Sequence, residues 1–244
     1  MALATLIAIT FACVAWSLWI RRLTWTCRWE LAATLNIALQ GLAVLLMSPL
    51  ASETLGRALF ELTGQWNLED YIGHDCYIVA ASAIVYNSIG RLADDNKMAL
   101  LFKRHIELPA TLCVPLLLAL FSFGNGAAIY RQDFFEVPTD FWLRAYWLLL
   151  CGTLTYLLAY GSRALLILRA DPRSRFIATW YLAASVAGIL ACAVRIITAY
   201  VPPLQTLDGG TLVWFFACTC GAGFALASAH SWRIKTKWFS RSSQ

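Results

Sequence analysis

Four residues of this chain combine cost in lipid with usefulness in chemistry: His74, Asp75, Arg144 and Arg195. Each stands in a long apolar run, where an ionisable side chain is a functional candidate by default. Asp75 follows closely on the start of the run at Tyr71, Arg144 on the start at Phe141, and Arg195 shortly precedes the end at Tyr200. At a rise of 1.5 Å per residue, all three lie roughly 5 to 8 Å below one membrane face, with His74 beside them. Asp75 paired with Arg195 or Arg144 would leave the other guanidinium free. A free guanidinium in an outward-facing cavity would hold a small anionic ligand through parallel N–H bonds. The competing reading has both arginines reaching out to headgroups and Asp75 capping its helix.

Other chemistry is poorly served. The sequence has no GxSxG, HExxH, Walker A or GxGxxG motif and no histidine–carboxylate cluster at helical spacing, so an enzyme is a minority reading. His74 and Asp75 without a third partner do not make a catalytic site. Six of the eight cysteines fall in apolar runs, where a thiol acts as a small hydrophobe. Cys218 and Cys220 are two apart and point to different sides of a helix, so neither a metal nor a disulfide framework is expected. Nothing in the sequence calls for a cofactor. A retinal Schiff base needs a lysine in the final span, and Lys97, Lys103, Lys235 and Lys237 all lie between or after the apolar runs.

The elements that must position the four residues follow from composition. The 244 residues are 60% hydrophobic and 14% charged, against about 25% charged in soluble domains, and mean hydropathy is +0.63. Crossing about 30 Å of hydrocarbon takes roughly 20 apolar residues in a helix, because every backbone N–H and C=O must be satisfied within the segment. Seven runs qualify: 2–20, 31–50, 71–89, 108–130, 141–168, 176–200 and 211–229. The expected fold is therefore all-α, a polytopic transmembrane bundle of about seven spans. One domain covers 1–230, and a basic tail covers 231–244. The fourth run is the least regular, punctuated by Pro109, Pro115, Gly124 and Gly126. Run 2–20 lacks the basic start and cleavage site of a signal peptide and is expected to remain as a span.

Basic residues set the orientation. They cluster after runs one, three, five and seven, which leaves only Arg57, Arg131, Arg144 and Arg195 of the 19 elsewhere. Short loops rich in Lys and Arg stay cytoplasmic, so the N-terminus is expected outside, the C-terminus in the cytoplasm, and the whole in the inner (plasma) membrane. The opposite loops carry Glu53, Glu61, Glu69, Asp70, Asp133, Glu136, Asp140 and Asp208. Trp16, Trp19, Trp25 and Trp29, Trp142 and Trp147, and Trp232 and Trp238 mark the same interfaces. The basic clusters are thus accounted for by a lipid bilayer partner, and no nucleic acid is expected.

Within the cytoplasmic half, Glu30 is expected at a helix N-terminus, and Asn36, Gln40, Asn87 and Ser88 as interhelical hydrogen-bonding residues. Ala183, Ala187 and Ala191, with Gly221, Ala225 and Ala229, are small residues at four-residue spacing that let helices approach closely.

A basic, proline-containing turn enters run six at Arg169, Asp171, Pro172, Arg173 and Arg175, followed by an Ala- and Gly-rich helix with Arg195 in its outer half. With seven runs, this pattern resembles a family of actinobacterial membrane proteins assigned as transporters. The resemblance spans most of the chain and implies transport of a small solute. Members of that family usually continue into a cytoplasmic domain after the last span, whereas this chain ends at Gln244. The alternative is a receptor, signalling or exclusion protein acting through a membrane or cytoplasmic protein partner. For that role an outer pocket and a cytoplasmic face suffice.

Overall fold

The computed structural model describes residues 2–92, 95–205 and 209–242. The expectation placed on Asp208 lies outside the described residues. So do those on residues 243–244 of the tail and on the side chains of Arg28, Trp29, Lys237, Trp238 and Arg241. All regular structure among the described residues is helical. We number the main helices α1 (Ala2–Ile20), α2 (Arg28–Leu46), α3 (Pro49–Thr63), α4 (Leu68–Ile89), α5 (Asn96–Phe123), α6 (Phe141–Ala170), α7 (Arg175–Tyr200) and α8 (Gly209–Ser242).

Five of these, α1 and α5 to α8, are long and apolar enough to cross a membrane. A sixth span arises if α2 and α3 are counted together across their 59° bend. The expectation of seven is therefore met on length and apolarity only to five or six. The helix that falls short is α4, whose apolar run is diluted by His74, Asp75, Asn87 and Ser88. It can carry them because most of its length is buried against protein.

Two boundaries differ from the apolar pattern for local reasons. Run 31–50 is broken at Ser48, which is extended (φ −76°, ψ 151°) because the following Pro49 bars the helical region to it. Ser48 then caps α3, accepting a hydrogen bond from the Ala51 N–H at 3.3 Å. Run 108–130 stops at Phe123, since Gly124 is extended (φ −100°, ψ 176°), but the same helix begins much earlier, at Asn96. The basic residues that follow His230 continue α8 as further turns.

Packing joins the helices into a closed ring: α1 against α2, α2 against α4, α4 against α5 and α6, α5 against α6, α6 against α7, α7 against α8, and α8 back against α1. Small residues of α8 set its distances. A Cβ on Gly223 would lie 3.0 Å from Ala184, and one on Gly221 would lie 3.3 Å from Gln40 Oε1. At one end of the ring the loops dock on α4: buried Asn67, in the left-handed region at φ 56°, donates to the carbonyls of Gly126 (2.6 Å) and Ile129 (2.9 Å). Asp133 there accepts from the Trp214 indole at 3.1 Å. At the other end, Arg21, Glu30, Ser228 and Lys235 meet.

Candidate functional site

Arg195 reaches into the ring from α7, near the end that holds Asn67 and Asp133. Only 2% exposed, it does not reach out to headgroups. Its guanidinium lies 4.1 Å from the ring centre of Trp147 and 5.5 Å from that of Phe135, the distance range of cation–π contacts. One terminal nitrogen, Nη1, donates to the Phe135 carbonyl and to Thr198 Oγ1, both at a long 3.4 Å. The other two, Nε and Nη2, are buried with no hydrogen-bond partner among the described residues. These two share one edge of the guanidinium, the edge that receives a carboxylate through two parallel N–H bonds.

Arg195 is one of the residues lining a cavity of about 90 Å³. The cavity runs between α2, α4, α6, α7 and α8, from Arg195 and Trp214 at one end to Gly188 and Phe224 near the middle of the ring. Its lining is mostly apolar, and no carboxylate is part of it. The Trp147 indole N–H is a further buried donor without a protein partner, and Gln40 Oε1 an unpartnered acceptor at the deeper end. His74 lines the same cavity, and its Nδ1 is held 2.8 Å from Tyr146 Oη. Its ring stands edge-on to Trp147, centres 5.2 Å apart. Both aromatic partners come from α6, so α6 fixes the His74 ring and the Arg195 plane together.

The four residues singled out in the sequence therefore divide. His74 and Arg195 share the cavity. Asp75, the next residue on α4, points to another side, near Tyr71 and Cys113. It pairs with neither arginine among the described residues, nor does it cap the helix, which begins at Leu68. A 100° step per residue along a helix separates neighbours in this way. Arg144 is partly buried and outside the cavity lining, with its Nε unpartnered.

Asp133, in the loop before α6, lies close enough to Arg195 to be felt electrostatically. Burial pushes its carboxyl up from the ordinary value of 3.8, against the lowering effect of hydrogen bonds from the Phe135 N–H (3.0 Å) and the Trp214 indole. Two more acids, Glu69 and Asp70, are 0% and 2% exposed near the same end. Glu69 packs on Gly56, where an added Cβ would meet its Oε1 at 2.6 Å. Sequence reasoning counted these acids as loop charges. A helix start inside a docked loop is invisible to composition.

A second polar cluster lies at the opposite end. Arg21, counted from the sequence as a loop charge, is 1% exposed and ion-paired to Glu30 at 2.9 Å, and Lys235 pairs with the other carboxylate oxygen of Glu30. Its only sequence signal was Glu30 following soon after Arg21 across a short loop. Lys235, far along the chain, gave none.

Among the described residues no group of three or more His, Cys, Asp or Glu side chains is arranged to hold a metal ion. Comparison with protein-family models, with curated proteins and with solved structures finds no match for this chain.

Proposed function

We propose that this is a seven-span plasma-membrane protein that transports a small monocarboxylate with a short apolar body, bound through Arg195. In this reading α4 is the seventh span, shielded from lipid by its neighbours. Lys and Arg dominate the end of the ring holding Arg21, Arg91, Arg173 and Lys235, and that end faces the cytoplasm, with the N-terminus outside.

One observation carries the reading: a guanidinium 2% exposed, lining an apolar cavity, with two nitrogens unpartnered and no carboxylate paired to it among the described residues. An unpaired buried charge is costly, and an anion arriving in the cavity relieves that cost. The lining suits an apolar body behind the carboxylate. At about 90 Å³ the space is smaller than the roughly 150 Å³ that admits benzene, so the occupant has only a few carbons.

Transport, rather than binding alone, is favoured by what lies below. A second cavity of about 160 Å³ opens toward the cytoplasmic end, lined by Ile84, Leu165, Tyr181 and Ser231 among others. The outer cavity ends at Leu158, Gly188 and Phe224. On each of α6, α7 and α8 the two are separated by about two helical turns, roughly 10 Å. The rings of Tyr181 and Phe224, 5.7 Å apart, close that barrier. Two cavities on one axis with an aromatic barrier between them are the elements of alternating access. The resemblance to the transporter family points the same way.

The test uses butyrate and isobutyrate as probes. Purified wild-type protein should unfold at a higher temperature in their presence, and Arg195→Leu should lose that response. In proteoliposomes, at a pH well above the pKa of the probes, wild type should show saturable uptake that Arg195→Leu lacks. Stabilisation without uptake would replace transport by sensing, the receptor reading. No stabilisation by either probe, or an equal response in both proteins, would remove the carboxylate site.

A further inference from the structure

The cytoplasmic cavity has a chemistry of its own. Arg91 at the end of α4, Arg173 in the turn before α7 and Lys235 on α8 converge on it from three separate segments. Asn87, Ser174 and Ser231 add amide and hydroxyl groups to the same walls. Among the described residues no carboxylate lines it. A third cavity, of about 200 Å³, shares Asn87, Arg91 and Lys235 and extends the space toward α2.

Among the described side chains two acids stand nearby, and both have partners. Glu30 lines the third cavity and is held by Arg21 and Lys235. Asp171 is turned onto its own loop, accepting from the Arg173 N–H at 3.0 Å and from Ser174 Oγ at 3.2 Å. Neither Arg91 nor Arg173 forms an ion pair among the described residues. Cytoplasmic loops collect basic residues for topological reasons alone, but such charges spread into water. Here three of them, Arg91 and Arg173 exposed and Lys235 half-buried, line the mouth of one cavity whose deeper wall is apolar.

We propose that this cytoplasmic cavity is a second anion site, one that takes a phosphate group. Two guanidiniums outside any ion pair among the described residues, with Lys235 shared with Glu30 and hydroxyl and amide donors beside them, suit the charge and the several acceptor oxygens of a phosphate better than the single charge of a carboxylate. The phosphate group belongs to a soluble phosphate compound entering from the cytoplasm or to an anionic lipid headgroup, since basic pockets between helices recognise both by the same contacts. The site needs neither Arg195 nor a carboxylate ligand, but its cytoplasmic placement rests on the orientation proposed above.

The experiment uses the whole protein in phosphatidylcholine nanodiscs, with inorganic phosphate titrated against chloride at matched ionic strength. Phosphate should raise the unfolding temperature saturably. Arg91→Gln/Arg173→Gln should need at least tenfold more phosphate for the same rise. Replacing part of the lipid by phosphatidylglycerol separates the sources. A phosphate response abolished there in wild type assigns the site to headgroups, and one that persists assigns it to soluble phosphate. The proposal is overturned if phosphate does no more than chloride in phosphatidylcholine, or if the double variant responds as wild type does. Should the double variant not fold, Arg173→Gln alone, at an exposed turn, must show a weakened response, and an unchanged one overturns the proposal equally.

Discussion

Two arginines of this protein are equally buried and differently employed. Arg21, 1% exposed, gives Nε to Thr34 Oγ1 at 3.2 Å, Nη1 to the Ser228 carbonyl at 3.1 Å, and Nη2 to the Glu30 carboxylate at 2.9 Å. All three nitrogens are satisfied. Arg195, 2% exposed, has two long contacts from one nitrogen and none from the other two. Residue type and burial are the same, so neither decides role. What differs is the counter-charge: at Arg21 the chain supplies it, tying α1, α2 and α8 together, and at Arg195 no carboxylate among the described residues forms an ion pair.

The comparison breaks most visibly at Glu30. Replacing it with Ala leaves Arg21 in place among neutral acceptors and withdraws the partner of Lys235. Removing one member of a buried ion pair typically costs about 3–5 kcal/mol, so Glu30→Ala should lower the unfolding midpoint in detergent by far more than any change at the outer cavity. A loss no greater than that of an exposed substitution such as Arg57→Ala would mean that the inner cluster is not structural.

Arg195→Met should behave oppositely. No carboxylate loses its partner, and an unpaired cation is replaced by an apolar chain of similar length. Such replacements are often neutral or stabilising, so the expected change in stability is within about 1 kcal/mol of zero, or favourable, measured by the same thermal unfolding. A loss comparable to that of Glu30→Ala would show that Arg195 is structural glue as well, and the contrast between the two sites would collapse.

The membrane character and most helix positions were legible from the sequence because apolar length and basic clustering are one-dimensional signals. Runs 141–168 and 176–200 match α6 and α7 nearly end to end. The bend at Ser48–Pro49 was readable in principle from the proline, yet the run was drawn straight through it. His74 and Arg195 were legible as costly residues, and their shared cavity follows from a packing of α4 against α6, and α6 against α7, that no spacing encodes. Asp75 misled for the converse reason: adjacency in sequence to His74 places it on a different helix face. The Arg21 cluster was missed because positive-inside counting treats every loop arginine as solvated, and Arg21 turns inward instead.

The smallest effect sharpens the comparison at its edge, where Asp133 is, among the described residues, a loop carboxylate that feels the charge of Arg195. Burial holds its carboxyl above 3.8, so the folded protein keeps the proton to a higher pH than the unfolded chain does. Between 3.8 and the raised value the folded state binds more protons, and stability falls as pH rises through that window. The contribution is complete only below the unfolded value. The Phe135 N–H and the Trp214 indole bind different oxygens of Asp133, so Asp133→Asn can accept from only one of them. That loss, about 1–3 kcal/mol, is the same at every pH, and the test reads the slope alone. Unfolding midpoints taken upward from pH near 4 should decline less steeply in Asp133→Asn than in wild type. Parallel slopes would show that Asp133 ionises as an ordinary surface carboxylate. In that case it would serve Arg195 as a nearby counter-charge, and the guanidinium would be less alone than its hydrogen bonds indicate.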